Sequence, residues 1–326
     1  MNGKTVVIPW CCPRCRKQLS CDSLKEGLLC PRCEHLFPIK DGIPDFIGGN
    51  SSAFYEEKGE VYHFPKHVRS SYPLKTRLAM FFSDDDFSTN LNFLQQVMRH
   101  PGVVLDVGCG GGNTFYTFIG PTVGVDLAFS SLRRAQTIYP QVARALAEAL
   151  PFPDNAFDYV VSTDVLEHLP LAIKDKALAE MARVLKPGGR MVHIFPVDNR
   201  HFLMRWAKRF PDLFQRYFID LDGHDGFEMA SAVLKRFQQF GLRLVRLSIQ
   251  KGVIWSKWEI LKRFDNEYRQ TAPWLDGLVR LARLMGRNKW TSHAVNPILW
   301  MLDRLLTPWF DIDYAYRVGV CLEKPR

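Results

Sequence analysis

Residues 103–126 read VVLDVGCGGGNTFYTFIGPTVGVD: an apolar strand, a loop with four glycines, a helix-length stretch, and a second apolar strand ending in Asp126. Gly108, Gly110, Gly111 and Gly112 carry no Cβ, so the loop can turn tightly and bring its backbone against a ligand lying across the strand ends. Asp126 follows the last of these glycines by 14 residues, where its carboxylate can accept from both hydroxyls of a ribose. A tight strand-to-helix turn also uses glycine for purely steric reasons, and the chain that follows decides between the two.

Downstream of Pro101, apolar runs alternate with helical patterns in the βαβ manner. The pattern predicts strands over 103–107, 122–126, 142–146, 157–162, 190–195 and 242–249, and a last one over 316–323. A helix over 175–185 should stop at KPGG, because Pro187 cannot continue it and the glycines can cap it. Between 252 and 314 lies an insertion too long and too apolar for a loop. It holds two amphipathic stretches, WLDGLVRLARLMGR and NPILWMLDRLLTPWF. In the first, Asp276, Arg280, Arg283 and Arg287 share one face, with Trp274, Leu278, Leu281 and Met285 on another. Packing on the chain's own sheet, a dimer seam and contact with a membrane surface all fit such a pattern.

Six of the eight cysteines fall between Cys11 and Cys33. Cys12 with Cys15, and Cys30 with Cys33, form two CPRC knuckles separated by 14 residues. Each knuckle supplies two thiolates, and two hairpin tips complete a tetrahedral, closed and therefore structural zinc site. The N-terminal sequence has no secretory apolar region, so a reducing cytoplasmic setting is expected and disulfides are disfavoured. Cys11, Cys21 and His35 lie close enough to compete as ligands but are read as bystanders. The organisation expected is a zinc ribbon over 1–50, a helical linker or cap over 51–100, and an α/β domain over 101–326 with a helical insertion at 252–314. FYEEKGEVYHFP within the linker could lie over the mouth of the domain, and SDDDFS from Ser83 should start a helix.

The 47% apolar content is ordinary for a globular protein, and no run of about 18 apolar residues suggests a spanning helix. The net charge of +9 is concentrated in one place. Between Asn199 and Arg304, 19 lysines and arginines face 10 aspartates and glutamates, while the rest of the chain balances. Seven of the eight tryptophans lie after Met204. A basic, Trp-rich region suits a membrane surface or a nucleic-acid face, and also solvated helices carrying core aromatics.

With LAEALPFPDNAFDYVVSTDVLEHL and ARVLKPGGRMVHIFP following the glycine loop, the series over 103–195 closely resembles the class I S-adenosylmethionine methyltransferases, especially the subgroup of ubiquinone-pathway and small-molecule enzymes. The resemblance implies a doubly wound, Rossmann-like sheet of seven strands, the last antiparallel. Carried over position by position, it assigns Asp106, Gly108, Gly110 and Gly112 to the loop holding the methionine moiety and backing the ribose. Asp126 becomes the ribose acceptor, and Thr163 and Asp164 flank the methionine end, with Glu167 and His168 starting the next helix. The family's adenine-binding acidic position is Leu146 here, which leaves adenine to backbone groups near Ala147 and Glu148. The first 47 residues, with FPIKDGIPDF, resemble small zinc modules seen alone as methyltransferase activators or fused to bacterial methyltransferases. A similar ribbon occurs in ribosomal RNA guanine methyltransferases, where it contacts nucleic acid.

Methyl transfer from a sulfonium is an in-line displacement whose leaving group comes with the cofactor, so a base is needed only if the acceptor must lose a proton. Candidates are His193, Asp198 and His201 after the fifth strand, and above all His224 in GHDGF, with a structural histidine as the alternative for each. Three functions follow. One is a methyltransferase for a small-molecule or lipid-linked acceptor, with peripheral membrane contact through 252–314; another is a ribosomal or transfer RNA base methyltransferase. The third is a cofactor-binding partner without chemistry, suggested by Leu146.

Overall fold

In the computed structural model, the described residues are 7–22, 27–49, 55–57, 86–251, 261, 263–287, 298–299 and 301–326. Most of FYEEKGEVYHFP, the acidic start SDD of SDDDFS, and 252–260 and 288–297 of the insertion lie outside them.

The sheet core follows from a period of two. In β5 (Val104–Val107), β8 (Phe157–Thr163) and β9 (Leu185–Pro196), alternate apolar side chains leave the sheet on opposite faces. Leu105, Val160 and Met191 join one apolar cluster with Ala177, Leu178 and Met181 of a helix over Leu171–Val184. Val104, Val161 and Val192 join the other, against Leu91, Leu94 and Val97 of α1 (Asp86–Val97), Phe115 of α2 (Thr114–Ile119) and Leu132 of α3 (Phe129–Ala135). We label the Leu171–Val184 helix α4. Strands buried on both faces require helices on both sides, which makes the architecture doubly wound.

The other strands are β6 (Thr122–Asp126), β7 (Gln141–Arg144), β10 (Arg243–Lys251) and β11 (Arg317–Glu323). Their order is β10-β11-β9-β8-β5-β6-β7. β11 runs antiparallel to both β9 and β10, and the other neighbours are parallel. The order of the chain reverses between β5 and β8, so the C-terminal ends of these strands open a crevice at that switch point. β9 begins five residues before its expected start: Leu185 pairs with Phe157, and KPGG loops out before Arg190 pairs with Tyr159.

The N-terminal ribbon is a four-stranded meander of β1 (Ser20–Asp22), β2 (Gly27–Leu29), β3 (Leu36–Lys40) and β4 (Ile43–Pro44). It packs on the open edge of the large sheet. Asp45 bridges Arg144 of β7 in a parallel sense, and the Phe46 amide donates to the Arg144 carbonyl at 2.9 Å. An uncovered edge strand is a template for unwanted pairing, and the ribbon occupies it. Trp10 fills the seam, 5.4 Å from Phe46 and 5.3 Å from Phe152 between ring centroids. Arg16 adds a two-pronged ion pair to Glu180 of α4, at 2.8 and 2.7 Å.

The insertion builds a separate core. A helix over Pro273–Arg287, α8, buries Leu275, Val279 and Ala282 against Leu203, Met204 and Ala207 of α5 (Phe202–Ala207) and against Phe264 and Tyr268, with Leu213 of α6 (Pro211–Phe214) packed at the margin. Its buried face differs from the one expected from sequence. Of the expected stripe Leu278 packs against this core, but Trp274 and Leu281 are exposed, and the fully buried stripe is shifted by one position. Leu275, Val279 and Ala282 are also spaced at four and three; periodicity alone does not choose between two such stripes.

Candidate functional site

The glycine loop is held from both strands. The Gly108 and Cys109 amides donate to the Val125 carbonyl at 2.8 and 3.0 Å, closing the loop over the end of β6. The Asp126 carboxylate accepts from the Gly110 amide at 2.8 Å and the Ala128 amide at 2.9 Å, one bond per oxygen. Each oxygen keeps a lone pair, so acceptance from two ribose hydroxyls fits the donor set. Burial raises the Asp126 pKa. Gly108 has φ of +67°, and a Cβ there would run into Val165. A Cβ at Gly110 would meet nothing within 4 Å, so the loop faces open space where a ligand can lie. Gly112 turns the chain into α2 at φ +86°.

Asp106 lies beneath this loop rather than on its surface. It is buried and accepts from the Tyr139 hydroxyl at 2.7 Å, and burial carries its pKa up to about 7 despite that bond. The Asn113 amide in turn donates to the Tyr139 oxygen at 2.6 Å, tying Asp106, Tyr139 and the start of α2 together. Ala147 and Glu148 are half-buried in the turn after β7. Thr163 ends β8, 3.5 Å from the Tyr116 hydroxyl. Asp164 takes a left-handed conformation, φ +56°, and pairs with Arg317 of β11 at 2.7 Å.

Glu167 and His168 do not start a helix. They lie in the turn before α4, because Pro170 disfavours helical geometry at the residue before it and occupies the N-cap. The 223–226 loop is latched onto this turn. The Gly226 amide donates to the Glu167 carbonyl at 2.8 Å, and a Cβ on Gly226 would collide with the Leu169 carbonyl. The Lys174 ammonium bonds the Gly226 carbonyl at 2.5 Å and Glu228 at 2.8 Å. His168 Nδ1 is 2.9 Å from the Gly223 carbonyl, which can only accept. Nδ1 therefore carries a proton, which in the neutral ring leaves the lone pair on Nε2. The latch brings the two imidazoles to 5.3 Å between centroids. Burial and the neighbouring His168 lower the His224 pKa to about 4, so its ring is neutral at pH 7.

Of the four candidate bases, only His224 lies here. His193 is fully buried inside the sheet's helical face, stacked on Phe237 of α7 (Ala230–Gln238) and bonded through Nδ1 to the Ser162 hydroxyl at 2.7 Å. Burial drops its pKa to about 3. His201 is the N-cap of α5, its Nδ1 accepting from the Leu203 amide. Asp198 is paired with Lys208 at 2.6 Å. Burial and these bonds give the three structural roles.

A helical segment over 55–57 joins the two sides of the crevice. The Glu56 carboxylate accepts from the Phe129 and Ser130 amides at 2.9 and 3.1 Å, just beyond Asp126, while the Tyr55 ring stands edge-on to His168 at 6.4 Å. Burial, then the charge of Asp225, raises the Tyr55 pKa. Tyr55 was legible only as one aromatic in a segment expected to cover the domain's mouth.

In the ribbon, the sulfurs of Cys12, Cys15, Cys30 and Cys33 all lie within 4.8 Å of one another, and those of Cys15 and Cys30 are 3.4 Å apart. A tetrahedral ion at about 2.3 Å from each sulfur fits such a cluster. The Cys33 amide points at Cys30 Sγ, 3.3 Å away. Against burial, amides of the knuckle bring the Cys30 thiol down to about 7, which favours the thiolate. Cys21 is exposed, Cys11 is buried outside the cluster, and His35 packs edge-on against Phe37.

Comparison with known proteins places this geometry. Residues 105–193 match the family model described as a methyltransferase domain, and residues 11–42 the one described as Trm112p-like protein. The ubiquinone/menaquinone biosynthesis C-methyltransferase UbiE of Hahella chejuensis is 39% identical over 29% of this chain and 43% of its own length. "Probable tRNA methyltransferase 9B" of Bos taurus is 33% identical over 36% of this chain and 28% of its own. The chain spans about half the length of the curated relatives it matches. Among solved structures, phosphoethanolamine N-methyltransferase 2 of Haemonchus contortus, bound to S-adenosyl-L-methionine, aligns over 81% of this chain and 62% of that one, with 18% identity and a TM-score of 0.47. Residues 105–193, within the seven-stranded sheet, thus match a methyltransferase domain, and residues 11–42 ahead of them match a Trm112p-like module.

Proposed function

We propose that this protein transfers the methyl group of S-adenosylmethionine to a small-molecule or lipid-linked acceptor held between the glycine loop and the 223–226 loop. The observation that carries this reading is the helical segment at 55–57, which reaches from the amides beyond Asp126 to His168. It lies across the crevice, where a small acceptor would be shielded from water. S-adenosylmethionine supplies the activated methyl and its leaving group; alignment and desolvation are what the protein must add. Gly108, Gly110, Gly112 and Asp126 would hold it, over Asp106, with Ala147 and Glu148 near the adenine and Thr163 and Asp164 near the methionine end. Zinc in the four-cysteine cluster would be structural, since all four positions are thiolates and none is left open.

The lipid-linked version is supported by the outer surface of the insertion. Leu284 is 68% exposed on the helix that also carries Arg280 and Arg283, and Trp309 is 85% exposed, with Met301, Leu302, Leu305 and Phe310, close to it in sequence, exposed as well. Apolar side chains beside arginines suit a peripheral contact with an anionic membrane surface. Among the described residues no helix is long and apolar enough to cross a membrane.

The test is incubation with methyl-labelled cofactor and separated lipid, metabolite and RNA pools, with flotation on anionic vesicles in parallel. Label should enter a lipid or metabolite. Label entering RNA, with binding that falls steeply with salt, would instead favour the second reading, which the Trm112p-like module and the tRNA-methyltransferase relative support. Cofactor binding without label in any pool would leave a non-catalytic partner.

A further inference from the structure

We infer that Glu167, His168 and His224 form a second metal site, for a divalent transition metal, on the acceptor side of the crevice. One ligand atom from each residue lies within 4.8 Å of the others. Two imidazoles and one carboxylate at this spacing are the donor set of ions such as zinc, iron(II) or manganese(II), and three protein ligands leave positions open.

Each donor is prepared for this role. His168 donates from Nδ1 to the Gly223 carbonyl, which in the neutral ring leaves Nε2 as the lone-pair nitrogen, 3.9 Å from the Glu167 carboxylate. His224 is held by stacking on Phe227, with 5.2 Å between ring centroids. A backbone carbonyl on the second nitrogen is the usual support of a metal-bound histidine, fixing tautomer and ring orientation. Glu167 is 2% exposed, and its Oε2 has no hydrogen-bond partner. Of the two cations that act on it, Lys174 is paired with Glu228, and Arg317 is paired with Asp164 through Nη1. A buried carboxylate oxygen left without a partner is costly, and a cation there removes the cost.

The site rests on the methyltransferase reading only for its purpose. An acceptor hydroxyl bound at an open position would lose its proton to water on coordination. Its oxygen lone pair would then form the O–CH3 bond while the S–CH3 pair returns to sulfur as a neutral thioether. Tyr55, edge-on to His168, stands at the entrance.

The experiment is a cobalt(II) titration of the full chain with the four-cysteine cluster already filled with zinc. A second equivalent should bind with visible bands of nitrogen and oxygen ligation and no thiolate charge-transfer band. Glu167→Gln and His224→Ala should each weaken it by more than the about 10–100-fold that loss of a supporting hydrogen bond costs. No second equivalent in the wild-type chain, or one unchanged in both variants, overturns the site. If the variants fail to fold, the wild-type titration decides alone. Calorimetry with S-adenosylhomocysteine separates the two proposals: cobalt bound without nucleoside binding sinks the methyltransferase reading and leaves the metal site standing.

Discussion

Arg144 of the sheet's edge strand and Asp45 of the ribbon's tail meet at 3.0 Å, with both side chains only 2% exposed. The Arg144 Nε donates to the Leu127 carbonyl, and the Nη1 that meets Asp45 also donates to the Gly49 carbonyl. Removing one member of such a pair leaves the other charge buried, so Asp45→Asn should cost about 3–5 kcal/mol. Asp45→Asn with Arg144→Met should recover part of the loss. Urea denaturation of the wild type and both variants checks this, and an unchanged midpoint for Asp45→Asn would mean the ribbon is not coupled to the sheet.

Removal of metal from the ribbon should therefore be felt by the whole chain. The cluster anchors a small core of Leu28 and Phe37, and Arg16 and Asp45 tie that core to α4 and β7. With binding energy converted into folding energy, a zinc-selective chelator should lower the melting temperature by about 5 °C or more. A melt unaffected by complete metal removal, verified by elemental analysis, would refute a structural zinc.

Asp126 both braces the glycine loop and faces the space where a ribose would lie. Asp126→Ala loses two amide partners and the acceptor for the hydroxyls, and should weaken S-adenosylhomocysteine binding about 10–100-fold, or about 1.4–2.8 kcal/mol. Calorimetry measures it. Binding within twofold of wild type would place the nucleoside elsewhere.

His193 should make the protein acid-sensitive. Its folded pKa of about 3 lies below the ordinary 6.5 because burial disfavours the charged ring. Between these values the unfolded chain takes up a proton that the native state refuses, so stability is full above pH 6.5 and is lost as pH falls toward 3. The slope from this one group is about 1.4 kcal/mol per pH unit. His193→Asn removes it: the gap in unfolding free energy between wild type and variant should narrow steadily from pH 6.5 to pH 4.5. A constant gap across that range contradicts the assignment.

Much of this molecule is legible in contiguous sequence. The strands at 122–126 and 317–323 fall within a residue of their expected limits, because alternation buried on two faces is a local pattern. The glycine loop and Asp126 sit on one strand-turn-helix-strand unit, so their juxtaposition needs nothing from the rest of the chain. The two CPRC knuckles are likewise a short-range feature.

The acceptor side is different. His193 alternates with Val192 and Ile194, and the pattern puts it on a face without saying that α7 will cover it with Phe237. His201 and Asp198 looked equally available until a helix cap and Lys208 claimed them. Glu167 and His168 stand 57 and 56 residues before His224, and only the latch made by Gly226, Gly223 and Lys174 brings them together. Sequence alone determined the fold class and the nucleotide-type loop, because both depend on periodicity and on backbone freedom within about 25 residues. The tertiary structure decided which polar side chains remain available for chemistry, because that depends on which distant groups already satisfy them.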